Sequence, residues 1–190
     1  MMLRILYQTP NVRAMLCIGR EVTHMVDWDE IAKKKHAEIE RLKSDQERKE
    51  RRQREFKVRL PTFADELFNH VVAEVERKNA TIAAPGALIT IHRSPLQLRC
   101  TKSTSPSGGL EMTLVEPSEQ TATTTLGVEV WGTDIHTDRR SEQKYQFLIW
   151  SNSEGQVFAR QTEGHGMSGQ ELNAKDAAEH PLKTFAWFIA

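Results

Sequence analysis

The sequence predicts an α+β fold: an antiparallel β-meander of about six strands packed with an N-terminal amphipathic helix and a C-terminal apolar helix, preceded by a charged helical arm. Three observations predict it. From Ala87 to Arg160, apolar residues recur at every second position in short runs, the period of half-buried strands. Just before that region, Phe63, Leu67, Val71 and Val75 recur every four residues, with Phe68 and Val72 widening the stripe. The chain then closes on Leu182, Phe185, Trp187, Phe188 and Ile189, an end too apolar to face water.

The centre of the predicted sheet is a pair of strands between Thr125 and Ser151. Leu126, Val128 and Val130 fall on one face of the first strand, and Gly127, Glu129 and Trp131 on the other. In the second, Tyr145, Phe147 and Ile149 share a face, while Leu148 and Trp150 make the opposite face partly apolar. Outward from this pair, Leu88 to His92 and Leu96 to Cys100 flank the turn at Arg93-Ser94-Pro95, and Leu110 to Leu114 follows a polar loop. Ser151 to Gly155 is a tight hairpin signal, after which Gln156 to Arg160 returns as the sixth strand. Short strands joined by local turns pair antiparallel.

Three segments follow from composition. Residues 1–26 read as a loosely ordered N-terminal arm, with a start at Met25 as a competing expectation. Residues 27–60 read as the charged helical arm, capped by Asp27 or Asp29 and carrying 12 Lys/Arg against 9 Asp/Glu. The spacing predicts i,i+4 pairs along it: Asp29 with Lys33, Glu30 with Lys34, Asp45 with Lys49, Glu47 with Arg51 and Glu50 with Arg54. No heptad seam persists, so a coiled coil is not indicated. Pro61 is expected to end this helix or bend the chain, and Thr62, with Asp65 three residues on, to cap a new one reaching Asn79. Residues 61–190 then form the α+β domain. Near its end, Ser168 with Glu171 resembles a capping box for a helix that Pro181 restarts or kinks.

Charge and cysteine content exclude some classes. With 26 basic and 26 acidic residues the chain is neutral overall, which argues against global electrostatic attraction to nucleic acid or membrane. Cys17 and Cys100 are the only cysteines and stand far apart, so neither a disulfide framework nor a zinc site is indicated, and a reducing cytoplasm is the expected compartment. No apolar run approaches a membrane span, and no secretory signal is present.

The candidate functional residues fall into three groups. Trp131, Tyr145 and Trp150 form a candidate partner-binding set. If the helices cover one sheet face, the tryptophans are exposed and mark an interface; if both faces are covered, the arrangement slightly favoured, they are core. The run Arg48, Lys49, Arg51, Arg52 and Arg54 could follow a phosphate backbone, although Glu47, Glu50 and Glu55 are placed to pair with it. The loop Asp134, His136 and Asp138 spaces three metal-ligand types two residues apart, with His165 in Gly164-His165-Gly166 as an acid-base partner. Polar hairpin loops favour the same residues, and neither a nucleophile nor a second histidine at ligand spacing accompanies them. Ser107-Gly108-Gly109 lacks the Lys of a phosphate-binding loop and reads as a turn. The expectation is therefore a soluble, non-enzymatic module that binds a protein partner or a second copy of itself, without a cofactor. A nucleic-acid-binding protein and a pocket enzyme or metal-binding protein are the rivals.

Overall fold

The computed structural model describes residues 28–82, 87–118, 121–133, 139–163 and 169–190. In chain order it contains α1 (Trp28–Asn79), β1 (Thr90–Arg93), β2 (Gln97–Lys102), β3 (Gly108–Leu114), β4 (Thr123–Thr133), β5 (Arg140–Ser151), β6 (Val157–Glu163) and α2 (Ala174–Ile189). The strands form one sheet in the order β1-β2-β3-β4-β5-β6, each neighbour antiparallel. The α+β meander read from the sequence is the fold of the chain. Contacts divide the chain at Arg41/Leu42. The described part of the first unit, Trp28 to Arg41, is helical with every side chain exposed. The second unit, Leu42 to Ala190, holds the sheet, α2 and the core.

Pro61 does not end the helix. It sits inside α1, and the boundary expected at Leu60/Pro61 falls within one continuous element. The reason is the phase of the buried residues. Phe56, Leu60, Phe63, Ala64, Leu67, Phe68, Val71 and Val75 form one stripe at helical spacing, running through the proline without a shift. A break at residue 61 would rotate Phe56 and Leu60 off the core that now buries them. Proline in a helix interior costs about 3 kcal/mol. Burying a Phe and a Leu, at ~1.5–3 kcal/mol each, is enough to offset it. Thr62 is correspondingly an exposed residue within the helix rather than its cap.

The inner face of the sheet supplies the other half of this core. Leu98, Cys100, Leu110, Met112, Leu114, Leu126, Val128, Val130, Phe147 and Ile149 are all buried, at alternate positions on β2 to β5. Polar contacts fix α1 at the β1 edge. The Asn79 side chain accepts from Ile89 N–H at 2.8 Å and donates to Ile89 C=O at 2.9 Å. Arg93 reaches Asp65 and Asn69 at 2.6 and 2.5 Å, with its guanidinium 5.9 Å from the Phe68 ring.

Helix α2 lies against β3, β4 and β6. Its close approach depends on the cross-strand pair Gly108 and Gly132. A Cβ on Gly132 would overlap the Phe188 side chain, and one on Gly108 would stand 2.9 Å from Ile189 Cγ2. Asn173 caps α2, accepting from Asp176 N–H at 2.9 Å. The helix starts later than the Ser168–Glu171 pattern suggests because Leu172 is first bridged to Ala159 by two backbone hydrogen bonds. Pro181 is carried inside α2, buried, without ending it. The β5–β6 hairpin forms as expected: Asn152 Oδ1 accepts from Glu154 and Gln156 N–H at 3.0 and 2.9 Å, and Gly155 takes φ +78°.

Continuity of α1 through Pro61 carries a direct test. Pro61→Ala restores the missing hydrogen bond to the Lys57 carbonyl and is expected to raise stability by about 2 kcal/mol, measured by urea unfolding. That figure is the helix-interior cost less the proline's ~0.4–1 kcal/mol restriction of the unfolded chain. A lowered midpoint would mean that the proline terminates a helix there.

Candidate functional site

Among the described residues, helices cover only one face of the sheet. The favoured arrangement, both faces covered, is not the one these residues form. Along β5 the alternation is plain: Tyr145, Phe147 and Ile149 are buried, while Lys144 and Leu148 are exposed and Trp150 is half-buried. The open face continues across the sheet through Gln97 and Arg99 of β2, Thr113 of β3, Glu129 and Trp131 of β4, and Arg160 of β6.

Two tryptophans anchor that face, each beneath arginine. The Arg99 and Arg140 guanidinium carbons lie 5.7 and 5.4 Å from the Trp131 ring centroid, and Arg160 lies 5.1 Å from that of Trp150. Trp131 lies flat on the sheet because β3 offers no side chain beneath it; a Cβ at Gly109 would overlap the indole. Phe158 flanks Trp150 at 6.3 Å. Between the tryptophans runs a charged row in cross-strand register: Arg99, Glu111, Glu129 and Lys144. Glu111 accepts from Gln97 at 2.8 Å, and Lys144 reaches Glu129 and Glu142 at 2.9 and 3.0 Å. Hydrogen bonds that Lys144 donates to both carboxylates push its ammonium above its usual range, and Lys144 holds Glu142 below its own. These groups are solvated, and such exposed pairs contribute little to stability.

Tyr145 does not share this face. It is 2% exposed and projects to the inner side, where its hydroxyl donates to Gln143 Oε1 at 2.6 Å and is shared with Thr184 of α2 at 2.8 Å. Its ring lies 5.3 Å from His180. It ties β5 to α2 and is not available to a partner. The register explains the correction: Tyr145 is opposite Val128, whereas Trp131 is opposite Glu142.

The basic run lies on exposed turns of α1. Of the five ion pairs expected along the arm, Glu30 with Lys34 forms, at 2.7 Å. Glu50 instead accepts from Gln46 at 2.9 Å. Among the described residues, Arg48, Lys49, Arg51, Arg52 and Arg54 form no ion pair. Arg48, Lys49 and Arg52 face Thr121 and Thr123 across a hollow of about 480 Å³, and Arg48, Arg51 and Arg52 share a second, of about 320 Å³, with Glu55 and Ser153.

A third feature had no counterpart in the sequence reading. The C-terminal turns of α1 and the length of α2 bound an apolar cleft of about 460 Å³, floored by Val75, Ile89, Leu182, Phe185 and Ile189. The helical spacing of Leu182, Phe185 and Ile189 was legible, but nothing in it told that a cleft against α1 would run over them with Leu182 half-buried.

Asp134, His136, Asp138 and His165 lie outside the described residues. Among the described residues, no group of three or more His, Cys, Asp or Glu is placed to hold a metal ion, and no helix is long and apolar enough to cross a membrane. With the geometry in hand, comparison adds no identity. No family model, curated protein or solved structure matches the chain.

Cys100 reports whether the inner face is sealed. It is fully buried, and burial pushes its thiol up to about 12. A raised value keeps the sulfur protonated, and so unreactive, throughout the neutral range. In a Cys17→Ser chain, Cys100 is expected to resist a thiol reagent at pH 8 until urea unfolds the protein. Rapid labelling of the folded chain would show that the face is open.

Proposed function

We propose that this chain is a non-enzymatic protein-interaction module whose contact surface is the open face of the sheet, with the charged stretch of α1 as tether or second contact. The observation that carries the reading is the pair of arginine-covered tryptophans on an otherwise hydrated face. Trp and Arg dominate the energetics of protein interfaces because they combine large apolar area with directional hydrogen bonding. Trp131 resting on Gly109 and Trp150 against Phe158 are held in place before any partner arrives, which lowers the ordering cost of association. The surrounding Glu111, Glu129 and Lys144 supply a polar rim. The partner is another protein or a second copy of the chain, and a cytoplasmic location belongs to the same proposal, supported by cysteine usage.

The test uses the full chain, because Phe56 and Leu60 belong to the core and a truncation at Pro61 would remove them. Light scattering and sedimentation, with the chain alone and with any co-purifying protein, define the association. Trp150→Ala combined with Arg160→Glu is expected to weaken it at least about tenfold, roughly 1.4 kcal/mol, with an unchanged melting temperature. Association of undiminished strength in that variant would remove the sheet face as the contact surface.

One observation favours a second reading, contact with nucleic acid. Arg48, Lys49, Arg51, Arg52 and Arg54 are exposed and, among the described residues, without ion pairs, so binding phosphates breaks no existing pair. On this reading a labelled duplex binds at low salt, and with about five phosphate contacts affinity falls by roughly 500-fold between ~50 and ~200 mM salt. Reversing Arg51, Arg52 and Arg54 to Glu abolishes binding. Binding that ignores either change would exclude the basic run.

A further inference from the structure

The cleft between α1 and α2 opens on the covered side of the sheet, away from Trp131 and Trp150, and its charges select a ligand class of their own. Its carboxylates are already engaged: Glu74 holds Arg77 at 2.6 Å and Glu179 holds Lys183 at 3.1 Å. Both are kept below the usual carboxylate range by those hydrogen bonds. The rim cations exceed them. Lys175 stands near both carboxylates without pairing with either within 4.0 Å, and Lys78 has no ion pair among the described residues. At the end of α2, Lys102 donates to the Ile189 carbonyl at 3.0 Å, and its ammonium is pushed down by burial first and by repulsion from Lys78 second. An apolar trough therefore runs between two helices, edged by more cations than carboxylates.

We propose that this cleft receives an amphipathic helix of a partner protein, one whose apolar stripe is flanked by Asp and Glu. Three features select that occupant. The floor is supplied by residues at helical spacing, Leu182, Phe185 and Ile189 on α2 facing Val75 on α1, so a third helix can set i, i+4 and i+7 side chains into it. From His70 to Lys78 the trough follows α1 for about 12 Å, roughly two helical turns. The charge is complementary: a carboxylate beside Lys78 or Lys175 relieves cation crowding, whereas a lysine there adds to it. The surface is separate from the sheet face, so the inference holds or fails independently of the contact proposed for Trp131 and Trp150.

Two labelled peptides of about 16 residues, four and a half turns, serve as probes; they share one leucine stripe, flanked by Glu in the first and by Lys in the second. With the full chain at low salt, fluorescence anisotropy is expected to show the Glu-flanked peptide binding at least about tenfold more tightly. Lys78→Glu with Lys175→Glu is expected to erase or reverse that preference. Ala186→Trp, an exposed substitution on the cleft wall that leaves the core alone, is expected to block both peptides. Trp150→Ala with Arg160→Glu should leave peptide binding unchanged. Equal binding of the two peptides, binding of neither, or a homodimer that Ala186→Trp dissociates would each overturn the proposal, the last by assigning the cleft to a second copy.

Discussion

The structure of residues 42–190 depends on one apolar contact: the stripe from Phe56 to Val75 on α1 laid against the inner face of the meander. An antiparallel sheet of this size cannot leave both faces in water, and the described residues supply two helices with which to cover it. Six turns of α1 supply Phe56, Phe63 and Phe68, the bulkiest members of the helical half of the core. That contact explains the uninterrupted passage of α1 through Pro61. It also accounts for the pair Gly108 and Gly132, which lets the end of α2 close the remaining corner without disturbing α1.

Using both helices on one side leaves the other side as surface. Its tryptophans are covered by arginine rather than by a third layer, an arrangement that tolerates water and still offers apolar area to a partner. The cleft follows from the same constraint. Two helices on the same face of the sheet leave a trough along α2, so Leu182, Phe185 and Ile189 line both core and trough. Electrostatics then separates the two surfaces. The sheet face sets two glutamates, Glu111 and Glu129, between Arg99 and Lys144 in register, whereas the trough rim keeps more cations than carboxylates.

Much of this was legible in the residues. The period-two runs place all six strands to within a few positions, and the turn at Asn152 to Gly155 is where its residues require it. The alternation in β4 and β5 assigns Trp131 and Trp150 to one face and Tyr145 to the other. What it cannot express is which face a helix will choose, because both carry apolar side chains. Pro61 misleads for a related reason: helix-breaking is a local cost of about 3 kcal/mol, while the burial that outweighs it depends on Phe56 and Leu60 meeting a sheet that forms later in the chain. Along α1 the pair Glu30 with Lys34 forms, whereas Glu50 turns to Gln46 instead of Arg54. A pair worth ~0.2–0.5 kcal/mol is too weak for spacing alone to fix which partner a long side chain takes. The flanking arginines Arg99, Arg140 and Arg160 come from three strands, and their meeting with the tryptophans depends on cross-strand register, which spacing along one strand does not contain.

The central claim is that the sheet is covered on one side only. Hydroxyl-radical footprinting of the native full chain, read residue by residue along β5, tests it most directly. The account predicts an alternating pattern: Leu148 and Trp150 are oxidised, and Tyr145, Phe147 and Ile149 are protected until the protein unfolds. Uniform protection along the strand would mean that a further layer covers the tryptophans, and the sheet face would then be core instead of contact surface.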